Sequence, residues 1–241
     1  MAGPSVRMNV ECPQGGVLAF LNGFLLSGLE TVGDASIQVT PYLRHGANTV
    51  ELVPQLAGVT ASLDLLDLAA GAPPDEAPVI HATALDPASP GKAVRSQFAI
   101  EADMPGFAWT DATPIEDVSA YRMALYDLAR RLAQLLADGP DDALIALLAM
   151  KHREIADAVG LSKSEMDEGL VDGLRRLRER PDFHVDLAQF DDFAPVLSPD
   201  RRIVNLRRQG GEHAIRMIDG VSDPGFRVFL ARLSGQWHVV R

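Results

Sequence analysis

The chain has 241 residues, 47% of them hydrophobic and 23% charged. That is enough apolar material for one large or two modest cores, and it excludes a disordered chain. A single cysteine, Cys12, excludes an internal disulfide and a multi-cysteine metal site, and fits a reducing, cytoplasmic setting. The net charge of -11 is unevenly placed. Residues 1–110 carry 4 basic and 11 acidic side chains, whereas residues 199–241 carry 8 arginines against 4 acids. An acidic chain of this kind resists non-specific association with nucleic acid or a membrane surface, so neither is an expected partner.

The first 110 residues read as short strands. Val6 to Val10 alternates apolar and polar residues. Val17 to Leu29 has the length of a signal segment, but Glu11 precedes it and Asn22-Gly23 interrupts it; Val17 to Leu26 therefore reads as a β-hairpin. Ser36 to Val39, Asn48 to Val53, Val59 to Leu66, Pro78 to Ala84 and Ala93 to Ala102 supply further strands. Loops are expected at 71–76 and 86–91. Such spacing predicts an antiparallel sandwich. No run is long enough to span a bilayer.

Phe20-Leu21-Asn22-Gly23, followed by Ile37 to Val50 with Thr40-Pro41-Tyr42-Leu43 and Gly46-Ala47-Asn48-Thr49, resembles the jelly-roll, galactose-binding-like domain of family 2 glycoside hydrolases. The resemblance implies a β-sandwich fold. In those enzymes the module is accessory and the catalytic carboxylates lie in a separate barrel, which this chain lacks, so it implies no activity here.

From Thr113 to Arg180 the period changes to that of helices. Thr113-Pro114-Ile115-Glu116 predicts a helix start, and Asp138-Gly139-Pro140 a stop. A second helix is expected from Asp141 to Gly160, and a third from Ser162 to about Arg180. Lys151 to Ser164 resembles the helix-turn-helix of sigma-factor region 4, in which Gly160 makes the turn and Ser162 caps the next helix. Glu165, Asp167, Glu168 and Asp172 stand where a DNA-reading helix carries basic or amide side chains. Four carboxylates oppose phosphate binding, so the pair is expected to serve packing or protein contact.

The remainder returns to strand. Ile203 to Arg208, Ala214 to Asp219, Phe226 to Leu233 and Gln236 to Val240 read as a four-stranded antiparallel meander. The order of elements faintly resembles the ketosteroid isomerase-like fold. The expected class is thus α+β: a sandwich domain over 1–104, a linker at 105–113, and a domain over 113–241 with three helices on a four-stranded sheet.

No nucleophile elbow, phosphate loop, dinucleotide fingerprint or zinc-ligand spacing occurs, and no cofactor or metal is expected. His184 alternates with Asp182 and Asp186 along one strand, and with His213 these are the candidates for acid–base chemistry in an enzyme reading. The leading expectation is a non-catalytic, bacterial-type binding or assembly protein whose partner is another protein or a carbohydrate. A small-molecule enzyme with a C-terminal pocket and a transcription-related protein stand as alternatives. Arg201, Arg202, Arg207, Arg208, Arg216, Arg227 and Arg232 are the candidate partner-binding residues, because guanidinium groups suit carboxylate partners. The alternative use of these arginines is pairing with the chain's own acids, such as Asp186 and Asp192.

Overall fold

The computed structural model describes residues 5–28, 32–68, 73, 76–86, 89 and 91–241. The loops expected at 71–76 and 86–91 fall largely outside these residues. The chain divides into two compact units, one formed by residues 1–107 and 158–160 and the other by 108–157 and 161–241. Among the described residues, every sheet draws its strands from one unit.

The first unit is an antiparallel β-sandwich of two four-stranded sheets. One sheet has the order β4 (Gly33–Gln38), β1 (Val6–Cys12), β6 (Ser62–Asp67), β7 (Val79–Ala84); the other runs β3 (Phe24–Ser27), β2 (Val17–Leu21), β5 (Gly46–Pro54), β8 (Val94–Ile100). Alternation puts Val6, Met8, Val10 and Cys12 of β1 on the buried face, and Leu63 and Leu65 of β6 are buried beside them. Ala19, Leu21, Val50 and Leu52 do the same in the other sheet.

The β2–β3 hairpin turns on Asn22 and Gly23 at φ 49° and 85°, the two left-handed positions that a two-residue hairpin of this twist requires. Asn22 is also a fastener. Its Nδ2 donates to Tyr42 O at 2.8 Å and to Asn48 Oδ1 at 2.7 Å, and its Oδ1 accepts from Thr49 N at 2.9 Å. The side chain of Asn48, fully buried, accepts from Arg44 N at 2.9 Å and donates to the carbonyls of Arg44 (2.9 Å) and Gly46 (2.8 Å). The two sequence stretches that suggested a jelly roll are therefore locked to each other through two asparagines.

The second unit contains α1 (Arg122–Ala137), α2 (Asp141–Leu147), all but the last two residues of α3 (Ala149–Val159), and α4 (Lys163–Arg178). Helix α1 begins nine residues later than Thr113 predicted. The backbone at 113–115 is engaged elsewhere: Thr113 N donates to Arg232 O at 2.9 Å and Ile115 N to Arg201 O at 2.8 Å. Asp117 accepts from Ser119 N at 2.8 Å in a turn just before α1, and α1 itself starts without a side-chain cap. The expected single helix over 141–160 is broken at Leu148, whose side chain is buried with that of Leu144. The end of α3 and the start of α4 follow the sequence closely. Gly160 has φ 73°, and Ser162 and Glu165 form a reciprocal capping box.

The C-terminal strands are antiparallel, but they form two sheets rather than one meander. The first orders β10 (Phe193–Leu197), β11 (Ile203–Arg208), β14 (Phe229–Leu233) and β15 (Gln236–Val239); the second orders β13 (Gly225–Phe226), β12 (Ile215–Ile218) and β9 (His184–Leu187). The expected strand 226–233 is divided, because the chain crosses between sheets at Arg227-Val228. There Leu206 N donates to Val228 O at 3.1 Å, while Leu206 O accepts from Ala214 N at 3.2 Å. One residue of β11 thus holds both crossings. Leu125, Ala129, Leu132 and Leu136 of α1 form one core with Phe193, Leu206, Ile215, Val228 and Leu230 of the two sheets.

Candidate functional site

Helices α2 and α4 hold a cleft of about 570 Å³ in the second unit, lined by Asp141, Asp142, Ile145, Asp167, Glu168, Val171, Asp172 and Arg175, among others. Its geometry is set by Arg178. That side chain donates to the carbonyls of Leu135 (2.7 Å) and Leu136 (3.2 Å) at the end of α1, and pairs with Asp141 at 3.0 Å at the start of α2. Carbonyls at a helix C-terminus and carboxylates at an N-terminus are where the helix dipole favours a cation and an anion respectively. One arginine in the last turn of α4 therefore ties the end of α1 and the start of α2 to α4.

The carboxylates of the cleft have different surroundings. Asp142, Glu168 and Asp172 are exposed. Asp167 is half-buried, and it lies 2.6 Å from Nδ1 of the buried His152 and is paired with Lys163. Burial works against its ionisation, yet hydrogen bonds from Lys163 and His152 hold its carboxyl below the ordinary range. Burial also lowers the pKa of His152 and outweighs the pull of Asp167. The pair is thus a neutral imidazole whose Nδ1–H donates to a carboxylate. Among the described residues that line the cleft, five carboxylates stand with one cation, Arg175, around the apolar Ile145 and Val171, and Arg175 lies 3.5 Å from both Asp141 and Asp172.

The arginines singled out by the sequence are mostly engaged inside the unit. Arg201 donates to the carbonyls of Ile115 (2.9 Å) and Glu116, and Arg202 to that of Ala112 at 2.7 Å. Arg207 is buried, 1% exposed, and donates to Gly211 O at 2.9 Å. Arg208 reaches Asp186 at 2.8 Å and Asp192 at 3.7 Å. Arg216 makes a two-pronged pair with Asp223, 2.9 Å on its Nε side. Arg232 donates to Tyr121 Oη at 2.9 Å and lies over that ring. Arg227 makes no hydrogen bond or ion pair among the described residues.

The acid–base candidates do not converge. Asp186 is paired with Arg208, and His184 is exposed on β9 with its ring directed to Asp182 O at 3.1 Å. Among the described residues no group of three or more His, Cys, Asp or Glu is arranged to hold a metal ion. Nδ1 of His213 is buried without a hydrogen-bond partner among the described residues, and burial, with Arg207 and Arg227 close by, pushes the ring's pKa down to about 3. A neutral imidazole of this kind makes stability depend on pH. The unfolded chain takes up a proton near its ordinary value of about 6.5, and the folded chain does not. The contribution is complete above that value and is lost as the pH falls towards the folded value; His152 acts in the same direction. Wild-type stability, measured by urea unfolding, should therefore drop between about pH 7 and 5. His213→Gln should flatten that slope, and an unchanged slope would show that His213 is hydrated.

The sequence missed the cleft. Asp141 and Asp142 read as helix-start residues, which they are, and Asp167, Glu168 and Asp172 only as carboxylates unsuited to DNA on a helix used for packing or protein contact. That α2 and α4 face each other is a tertiary fact with no periodic signal. Comparison with protein-family models, with characterised proteins and with solved structures found no match for this chain.

Proposed function

We propose that this protein is a non-catalytic binding or assembly protein, and that the cleft between α2 and α4 docks a basic segment of a protein partner. The observation that carries this reading is the cleft itself: five carboxylates and a single arginine surround Ile145 and Val171. Such a lining suits a short segment whose lysines or arginines meet the rim while an apolar side chain covers the floor. The carboxylates of α4 are the ones that oppose DNA, so the same feature supports protein contact over nucleic-acid reading. The capping box and the Arg178 contacts hold the two walls before any partner arrives, which reduces the ordering cost of binding.

The test is a fluorescence anisotropy titration with two synthetic peptides, one rich in lysine, arginine and leucine, the other its glutamate counterpart. The basic peptide should bind with an affinity that falls as salt rises. Asp142→Lys combined with Glu168→Lys should weaken it about tenfold or more without altering the melting temperature. Equal binding of both peptides, or indifference to the reversal, overturns the proposal.

A further inference from the structure

A second site lies on the opposite charge. Lys151 on α3 is half-buried, and its Nζ stands 4.8 Å from the centre of the Phe226 ring. Arg227 follows Phe226 directly, at the crossing between β13 and β14. Strand β13 pairs with β12 through Ile215 and Phe226, and the His213 ring lies against Gly225, the residue before Phe226. Gly225 confirms how closely: a Cβ there would fall 1.8 Å from Cδ2 of His213. Arg241 completes the group. It is buried and tied 2.5 Å from Glu154, one helical turn beyond Lys151 on α3.

The balance of charge in this cluster is unusual for so acidic a chain. Glu154, the side-chain carboxylate that α3 contributes, is taken by Arg241 and by the Ala108 N–H at 2.6 Å. Neither Lys151 nor Arg227 has a carboxylate partner among the described residues. The buried Nδ1 of His213 also has no hydrogen-bond partner. Among the described residues, two cations and one polar nitrogen, partly withdrawn from water, are thus left without a carboxylate side chain. An isolated charge in such surroundings is costly unless a counter-charge is supplied.

We propose that Lys151, Arg227 and His213 form a binding site for a phosphate group. The ligand class follows from the count and the shapes. Two uncompensated cations match the charge of roughly -1.5 to -2 that a phosphate monoester carries near neutral pH. Arg227 offers planar paired donors and Lys151 a compact ammonium, the two complementary ways of meeting phosphate oxygens. His213, neutral, donates or accepts without adding charge. The Phe226 ring face holds the ammonium in place while the site is empty.

Burial, with the charges of Arg241 and Arg227, lowers the pKa of Lys151 to about 8. A bound phosphate opposes that effect, so binding and protonation of Lys151 are linked and each promotes the other. This gives a readout that packing alone would not move. The chain has three lysines, Lys92, Lys151 and Lys163, so their side-chain resonances can be followed one by one in the whole protein carrying 13Cε-lysine.

The experiment is a titration of that protein with inorganic phosphate at constant ionic strength, with acetate and chloride as parallel arms. Phosphate should shift the Lys151 resonance saturably and raise its pKa, leaving Lys92 in place. Arg227→Gln should weaken the effect about tenfold or more, while its own melting temperature stays close to wild type. A Lys151 resonance indifferent to phosphate overturns the proposal. So does an equal shift with chloride, or an undiminished response in Arg227→Gln. A shift with acetate as strong as that with phosphate overturns the ligand class, and shows a carboxylate site instead. Lys151→Met, should it fold, must lose the heat of phosphate binding in calorimetry. If it does not fold, the Arg227→Gln arm decides alone.

Discussion

Replacing Glu154 by leucine is expected to cost the second unit about 3–5 kcal/mol, the usual penalty for removing one partner of a buried ion pair. Glu154 is 6% exposed and Arg241 1% exposed, and their side chains meet at 2.5 Å. The other carboxylate oxygen accepts from Ala108 N at 2.6 Å, so the same side chain ties α3 to the segment that carries the buried Trp109. The guanidinium of Arg241 lies 6.0 Å from the centre of the Trp109 ring. Leucine removes the charge and the acceptor together, and leaves a buried guanidinium without this carboxylate. Denaturant unfolding of the variant measures the loss. The double variant Glu154→Leu with Arg241→Met discriminates the cause. Buried pairs exchanged whole for apolar side chains are often close to neutral, so the double variant should recover much of the stability that the single one loses. A single variant that loses less than about 1 kcal/mol would mean that water reaches Arg241 and screens it.

This pair shows where the sequence could and could not be read. Glu154 sat inside the stretch resembling a helix-turn-helix, and its local environment, a helix with Gly160 and Ser162 beyond it, was legible. Its partner is 87 residues away, and no spacing rule links them. The same division runs through the molecule. Elements fixed by near neighbours were legible: the Asn22-Gly23 turn, the alternation of β1, the cap at Ser162. Elements decided by distant partners were not. Thr113 and Pro114 carry a sound helix-start pattern, but their stretch gives its N–H groups to Arg232 and Arg201 carbonyls instead. Strands β11, β12, β14 and β15 lie within stretches that were recognisable, whereas β10 was not, and their division into two sheets depends on Leu206 bonding two segments at once, which period-2 patterning does not encode. The arginines are the clearest instance. Their density was visible, but whether a guanidinium meets solvent or a carbonyl of the same unit depends on where the 110–116 backbone runs. Arg201 and Arg202 meet that backbone, and Arg227 does not.

Substituting Asn48 by alanine should destabilise the first unit by about 2–4 kcal/mol, a large effect for one polar side chain, because its groups are hard to satisfy in any other way. The side chain is fully buried and uses its oxygen twice and its nitrogen twice. Alanine leaves the Arg44 N–H and the Arg44 and Gly46 carbonyls without these partners, and removes one of the two acceptors of Asn22 Nδ2. Water can reach part of the half-exposed Arg44 and Gly46 backbone, which is why the expected loss stays below the sum of separate penalties. Asn48→Asp is the sharper probe. It keeps the shape and the acceptors but removes both donations and adds a buried negative charge, so it should be at least as damaging at neutral pH and recover in part as the pH falls towards the carboxyl range. Asn22→Ala breaks the same network from the hairpin side. Since the two side chains bond each other at 2.7 Å, the double variant should lose clearly less than the two single losses together. Strict additivity in that cycle, with both singles below about 1 kcal/mol, would show that the two stretches are held by the packing of Leu21, Leu43 and Val50 alone, and that the asparagines merely fill the turn.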